Sequence, residues 1–112
     1  MVFKNVDAFA AFNVMKGLHE TGKLGYAIAK NMRKISAELK EYVDTIDGIA
    51  KRMGREVEPG KYKVDDMIAY AEERKQYDNI ECNIDVMQVD EDVFTGGTLT
   101  SDQMYVLDWM VK

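Results

Sequence analysis

Residues 28–53 read IAKNMRKISAELKEYVDTIDGIAKRM, and the spacing of their apolar positions decides the fold. Those positions are Ile28, Met32, Ile35, Leu39, Tyr42, Ile46, Ile49 and Met53. The steps between them alternate four and three without a break. Such a seam is helical, because a strand would alternate at every second residue. An ordinary surface helix drifts off a fixed heptad seam. The spacing predicts one long helix from about Lys23 to Gly54, with a seam that something must cover.

Two coverings are open at this stage. Shorter helices of the same chain can fold back onto the seam. Alternatively the seam pairs with its counterpart in a second copy, as a homodimer. Isoleucine and leucine suit both. Methionine at Met32 and Met53, with Tyr42 between, suits an adaptable packing surface better than a strict zipper.

On the N-terminal side, Val2-Phe3 favours a short strand. Asp7 is a suitable N-cap for a helix over residues 8–19, which Gly17 and Glu20-Thr21-Gly22 loosen and end. On the C-terminal side, Gly54 reads as a left-handed cap and Pro59-Gly60 as a turn, within a hairpin or a plain reversal. Asp65 then caps a helix over residues 66–77, with Met67, Ile68, Tyr70, Ala71 and Tyr77 as its apolar side. Ile80, Cys82, Ile84 and Val86 alternate with polar residues and predict a strand over residues 80–87. Its candidate neighbours are Val2-Phe3, residues 62–64, Val93-Phe94, or the same edge in a second copy. Asp90-Glu91-Asp92 and Gly96-Gly97 mark loops. Thr100 with Gln103 makes a capping box that opens a last helix over residues 101–111. The expected architecture is a single domain over residues 1–112. It is helix-dominated α+β: one long central helix packed by two or three shorter helices, with a small two- or three-stranded antiparallel sheet.

At 112 residues and a net charge of −5, the chain has room for one core and carries an acidic surface. Such a surface repels phosphates, so direct nucleic-acid binding is disfavoured and a basic protein surface is favoured. Cys82 stands alone, which excludes an internal disulfide and fits a reducing compartment. The opening Met1-Val2-Phe3-Lys4-Asn5 lacks the pattern of a signal peptide, and no apolar run has the length of a membrane span. A cytoplasmic protein, with no membrane association, is expected.

Little in the chain points to catalysis. The single histidine, His19, falls at the expected end of the first helix, where a cation suits the dipole. Cys82 reads as a small buried apolar residue rather than a reactive thiol. Asp85, Asp90, Glu91 and Asp92 do not have the spacing of a calcium loop. Gly96-Gly97 lacks the Lys-Ser/Thr pair of a phosphate loop. No enzyme activity, metal or cofactor is expected. Two charged groups remain as candidate partner-binding sites. Lys30, Arg33 and Lys34, with Lys23, share a helix face; Glu38, Glu41, Asp44 and Asp47 follow, joined by Asp90, Glu91 and Asp92.

Three short motifs resemble an uncharacterised family of small proteins from tailed phages and prophages of Gram-positive bacteria. They are Phe3-Lys4-Asn5-Val6-Asp7 leading to Phe12-Asn13, then Leu24-Gly25-Tyr26-Ala27-Ile28-Ala29-Lys30-Asn31, and finally Leu107-Asp108-Trp109-Met110. The middle, around Pro59-Gly60, is shorter than that pattern. The resemblance implies a phage or mobile-element origin and no particular activity. The expected function is therefore a non-catalytic protein-binding module acting on a host or phage protein. One concrete form is an acidic inhibitor of a nucleic-acid-binding host defence protein. The alternative is a homo-oligomeric structural or assembly protein that uses the long helix as its interface.

Overall fold

The computed structural model describes residues 1–112. The chain runs β1 (Val2–Lys4), α1 (Asn5–Lys16), α2 (Gly22–Glu38), α3 (Lys40–Met53), β2 (Arg55–Glu58), β3 (Lys61–Lys63), α4 (Met67–Asp78), β4 (Glu81–Asn83), α5 (Glu91–Thr95) and α6 (Ser101–Val106), and closes with a 3-10 turn at Asp108–Met110. The class is helix-dominated α+β. No helix is long and apolar enough to cross a membrane.

The single long helix is corrected: it is two helices joined at Leu39. Leu39 sits at φ −89, ψ 3, well away from helical ψ. Its N–H still donates to the Ile35 carbonyl and its carbonyl still accepts from Val43, so the break is confined to one residue. Neither proline nor glycine lies near it. α1 packs mainly against α2 and α4 against α3, with Phe9 of α1 reaching across the break to Tyr42.

The seam itself is core. Ile28, Ile35, Leu39, Tyr42, Ile46 and Ile49 are buried within the chain; Met32 and Met53 are half-buried. A second copy cannot pair along this seam without displacing α1 and α4, so the seam is not a free oligomer interface. Ala8 and Ala11 of α1 meet Ala27 of α2 in the same core, and such small side chains let two helices approach closely. Met15, Leu24, Phe94, Leu107 and Met110 complete that end.

Two small two-stranded antiparallel sheets form, and one strand is shorter than expected. The strand read over residues 80–87 pairs only at Glu81–Asn83, antiparallel to β1, with Phe3 opposite Cys82. Beyond Asn83, Ile84 still exchanges bonds with Met1, and side chains then join the backbone contacts that hold residues 87–89. Asn31, fully buried, donates to the Met87 carbonyl at 2.9 Å and accepts from the Met87 N–H at 2.7 Å. Gln88 donates to the carbonyls of Trp109 and Val111, and Val89 bridges Val111 in parallel. The second sheet is the β2–β3 hairpin. Pro59-Gly60 turns it, with Gly60 at φ +78, which glycine adopts without strain.

Several boundaries move. α1 begins at Asn5, so Asp7 lies in its first turn instead of capping it, and His19 falls in the loop beyond its end. Asp66, not Asp65, caps α4, accepting from the Ala69 N–H at 3.0 Å. Gly54 is extended at φ −100, ψ −179, not left-handed. Glycine is needed there for another reason: a Cβ would stand 2.6 Å from the Ala50 carbonyl oxygen and 2.8 Å from that of Lys63. The capping box of Thr100 and Gln103 is formed as read, although α6 is shorter than expected. Glu91 and Asp92, read as loop, and Val93-Phe94, a candidate partner of the 80–87 strand, instead lie in the short helix α5.

Candidate binding surfaces

The end of the molecule formed by the last turns of α3, the β2–β3 hairpin and the start of α4 is thinly covered. None of the β2, β3 or α4 residues is buried. The apolar side expected for α4 is corrected here. Met67 and Ile68 face solvent, at 58% and 86% exposure, and Ala71 is exposed as well. Only Tyr70 and Tyr77 of that set are half-buried. Val57 on the hairpin is 50% exposed. Burial of Ile28 to Ile46 ties the rest of the chain down, whereas here Val57, Met67 and Ile68 stand exposed on elements with no buried residue.

Tyr77 of α4 packs against the core, and polar contacts add to this. The Tyr42 hydroxyl donates to Asp78 Oδ1 at 2.6 Å, and Arg74 donates to both the Tyr42 hydroxyl at 3.0 Å and Asp78 Oδ1 at 3.2 Å. Arg74 also lies over the Tyr70 ring, 5.6 Å from its centroid. Arg52 of α3 pairs with Glu73 of α4. Burial, and then the bond to Asp78, push the Tyr42 hydroxyl up to about 12, with Arg74 pulling the other way.

A groove of about 440 Å³ opens where α1 passes the Leu39 break. Phe9, Phe12, Leu39 and Val43 supply its apolar surface; Lys16 and Lys40 stand at its rim with Asn13, Ser36 and Asp44. Phe9 is fixed edge-on against Tyr42, with ring centroids 5.9 Å apart. The volume is in the range of pockets that hold small molecules or anchoring side chains.

The charged residues singled out in the sequence do not converge. Glu38, Glu41, Asp44 and Asp47 are all exposed. Glu38 and Glu41 border a cleft with Tyr77 and Cys82, while Asp44 borders the groove beside Lys40. Asp92 lies near Lys23 and Glu20, at the far end of α2. From Lys23 to Asp44 the helices run about 30 Å. The acidic groups therefore form separate patches rather than one face. Asp90 pairs with Lys112 at 3.7 Å, Asp92 accepts from the Val93 N–H, and Glu91 is exposed. In the basic group, Arg33 is exposed and Lys30 half-buried, but Lys34 is engaged, donating to the Asp85 carbonyl at 2.7 Å. No three His, Cys, Asp or Glu side chains come together in a metal-binding arrangement. Burial, then the charge of Glu38, raise the Cys82 thiol above its ordinary value.

Two features went unread in the sequence. Asn31, not Met32, is the fully buried residue in its turn of α2. A helical period counted from Leu24 through Ala27, Ile28, Asn31 and Ile35 would have found it. The exposure of Met67 and Ile68 had no local signal, because their spacing is that of a packed helix face. No family model, curated protein or solved structure matches this chain.

Proposed function

We propose that this is a non-catalytic protein-binding module, of the kind a phage encodes to occupy a surface of a host or phage protein. The observation that carries this reading is the start of α4, where the neighbouring residues Met67 and Ile68 stand in solvent on a helix with no buried residue. A buried apolar centre ringed by polar side chains is the usual anatomy of a protein interface. Arg55, Lys61, Lys63, Asp65 and Asp66 supply such a rim.

The test is capture by the immobilised chain from lysate of a Gram-positive host. Wild type should retain a dominant protein that Ile68→Asp fails to retain. Equal retention by both would defeat the reading. The form in which Glu38, Glu41, Asp44, Asp47 and the residues 90–92 cluster imitate phosphates requires a partner that spans separate patches. Alanine substitution of both clusters should then abolish capture, and capture left intact would remove that form. The alternative, an assembly protein, has to use a surface other than the seam.

A further inference from the structure

We infer that the groove beside Leu39 is a binding site for a small organic anion, one carboxylate on an apolar body. The groove flanks the first turn of α3, whereas α4 starts beyond the last, about 20 Å along that helix. The site therefore stands or falls apart from the surface at the start of α4.

The walls suit an apolar body. Leu39 is buried, and Phe9, Phe12 and Val43 are half-buried. Each of these three packs one side on the core and leaves the rest to the groove. Phe9 is held edge-on by Tyr42, so its wall is in place before any ligand arrives. At about 440 Å³ the space is far larger than a bare inorganic ion needs, since one water takes about 30 Å³.

The rim suits a carboxylate. Lys16 closes α1 and Lys40 opens α3, and neither side chain makes an ion pair within the chain. Asn13 and Ser36 stand beside them, exposed, with no hydrogen bond from either side chain. Against these free donors stands a single carboxylate, Asp44. Two ammonium groups and one carboxylate leave the rim positive, on a chain whose net charge is −5. Most of the surface repels an anion, whereas here apolar contact and free ammonium groups coincide. Hydrogen bonds from ammonium to carboxylate are among the stronger kinds. A cationic amphiphile would meet like charge at this rim and find its partners elsewhere.

The experiment is an amide NMR titration of the full chain with decanoate and, separately, with naphthoate. The two present the same chemistry on a chain and on a ring, and the tighter binder names the source. Saturable shifts should gather at the residues that line the groove. If the body is a chain, octanoate and hexanoate should bind progressively more weakly, by up to about fourfold for each methylene removed. The double variant Lys16→Gln, Lys40→Gln should weaken binding about fivefold. Ala37→Glu sets a carboxylate in the groove wall and should abolish binding. All three positions are exposed, so both proteins should keep the circular dichroism of the wild type. Decylammonium should leave the groove amides unmoved, and Ile68→Asp should bind as wild type does. The inference is overturned if neither acid saturates by about 10 mM, or if the shifts scatter over the surface. It is overturned equally if Ala37→Glu binds like wild type, or if decylammonium binds as tightly as decanoate. Loss of a captured foreign protein on Ala37→Glu, with both acids without effect, would give the groove to a protein instead.

Discussion

Asn31 shows how much one side chain can carry. Both ends of its amide are spent on the backbone of Met87, in a fully buried setting. Asn31→Ala would leave a buried N–H and a buried carbonyl without partners, at a cost of about 2–4 kcal/mol. Chemical denaturation should show this as a lower midpoint with an unchanged slope. Tyr42 makes a different prediction. Its hydroxyl titrates near 12 when folded, against about 10 for an ordinary tyrosine. The folded state holds this proton more tightly, so the contribution is whole below about pH 10 and is lost as pH rises towards about 12. Tyr42→Phe should flatten that alkaline loss, read as the denaturation midpoint of both proteins across this window. A variant that falls as steeply as wild type would place the loss elsewhere.

At the scale of elements, the break at Leu39 divides labour between two helices. α2 is covered by α1, and α3 by α4. The glycines of α3 then differ in kind. At Gly48 a Cβ would meet nothing, and the backbone is helical. Gly48→Ala should therefore stabilise by about 0.5–1 kcal/mol, through a smaller loss of chain entropy on folding. At Gly54 the same methyl would run into two backbone carbonyls. Gly54→Ala should destabilise by about 1–3 kcal/mol, the usual range for forced overpacking. Thermal melts of the two variants should move in opposite directions. α4 is tied to α3 through Tyr42, Arg74 and Asp78 and packs Tyr77 on the core, while its first turn stays in solvent.

The whole molecule is elongated. Its radius of gyration is 16.0 Å, against about 13 Å for a compact domain of this length. Its extents are 46 × 28 × 22 Å. The core cluster contains no residue between Ile46 and Cys82, and Ile49 is buried outside it. Amide hydrogen exchange should follow that division. The N–H groups of residues 55–64 should exchange faster than those of residues 24–35, because no buried apolar layer covers the hairpin. Equal protection in both regions would mean that the hairpin is as well secured as the core.

Much of this was legible in the chain. The heptad spacing of Ile28 to Met53 identified the helical core face, Thr100 and Gln103 marked a helix start, and Pro59-Gly60 marked the reversal. These are local signals: period, cap and turn chemistry are set by residues within a few positions of one another. Charge was legible as composition but not as shape, so residues 38–47 and 90–92 were grouped in sequence and lie apart in space. What only the tertiary structure decided is where the helix breaks and that Ile68 faces solvent. Each depends on which distant element covers a given face. A helical apolar stripe states that a face is suited to cover, while the fold alone determines whether any part of the chain reaches it.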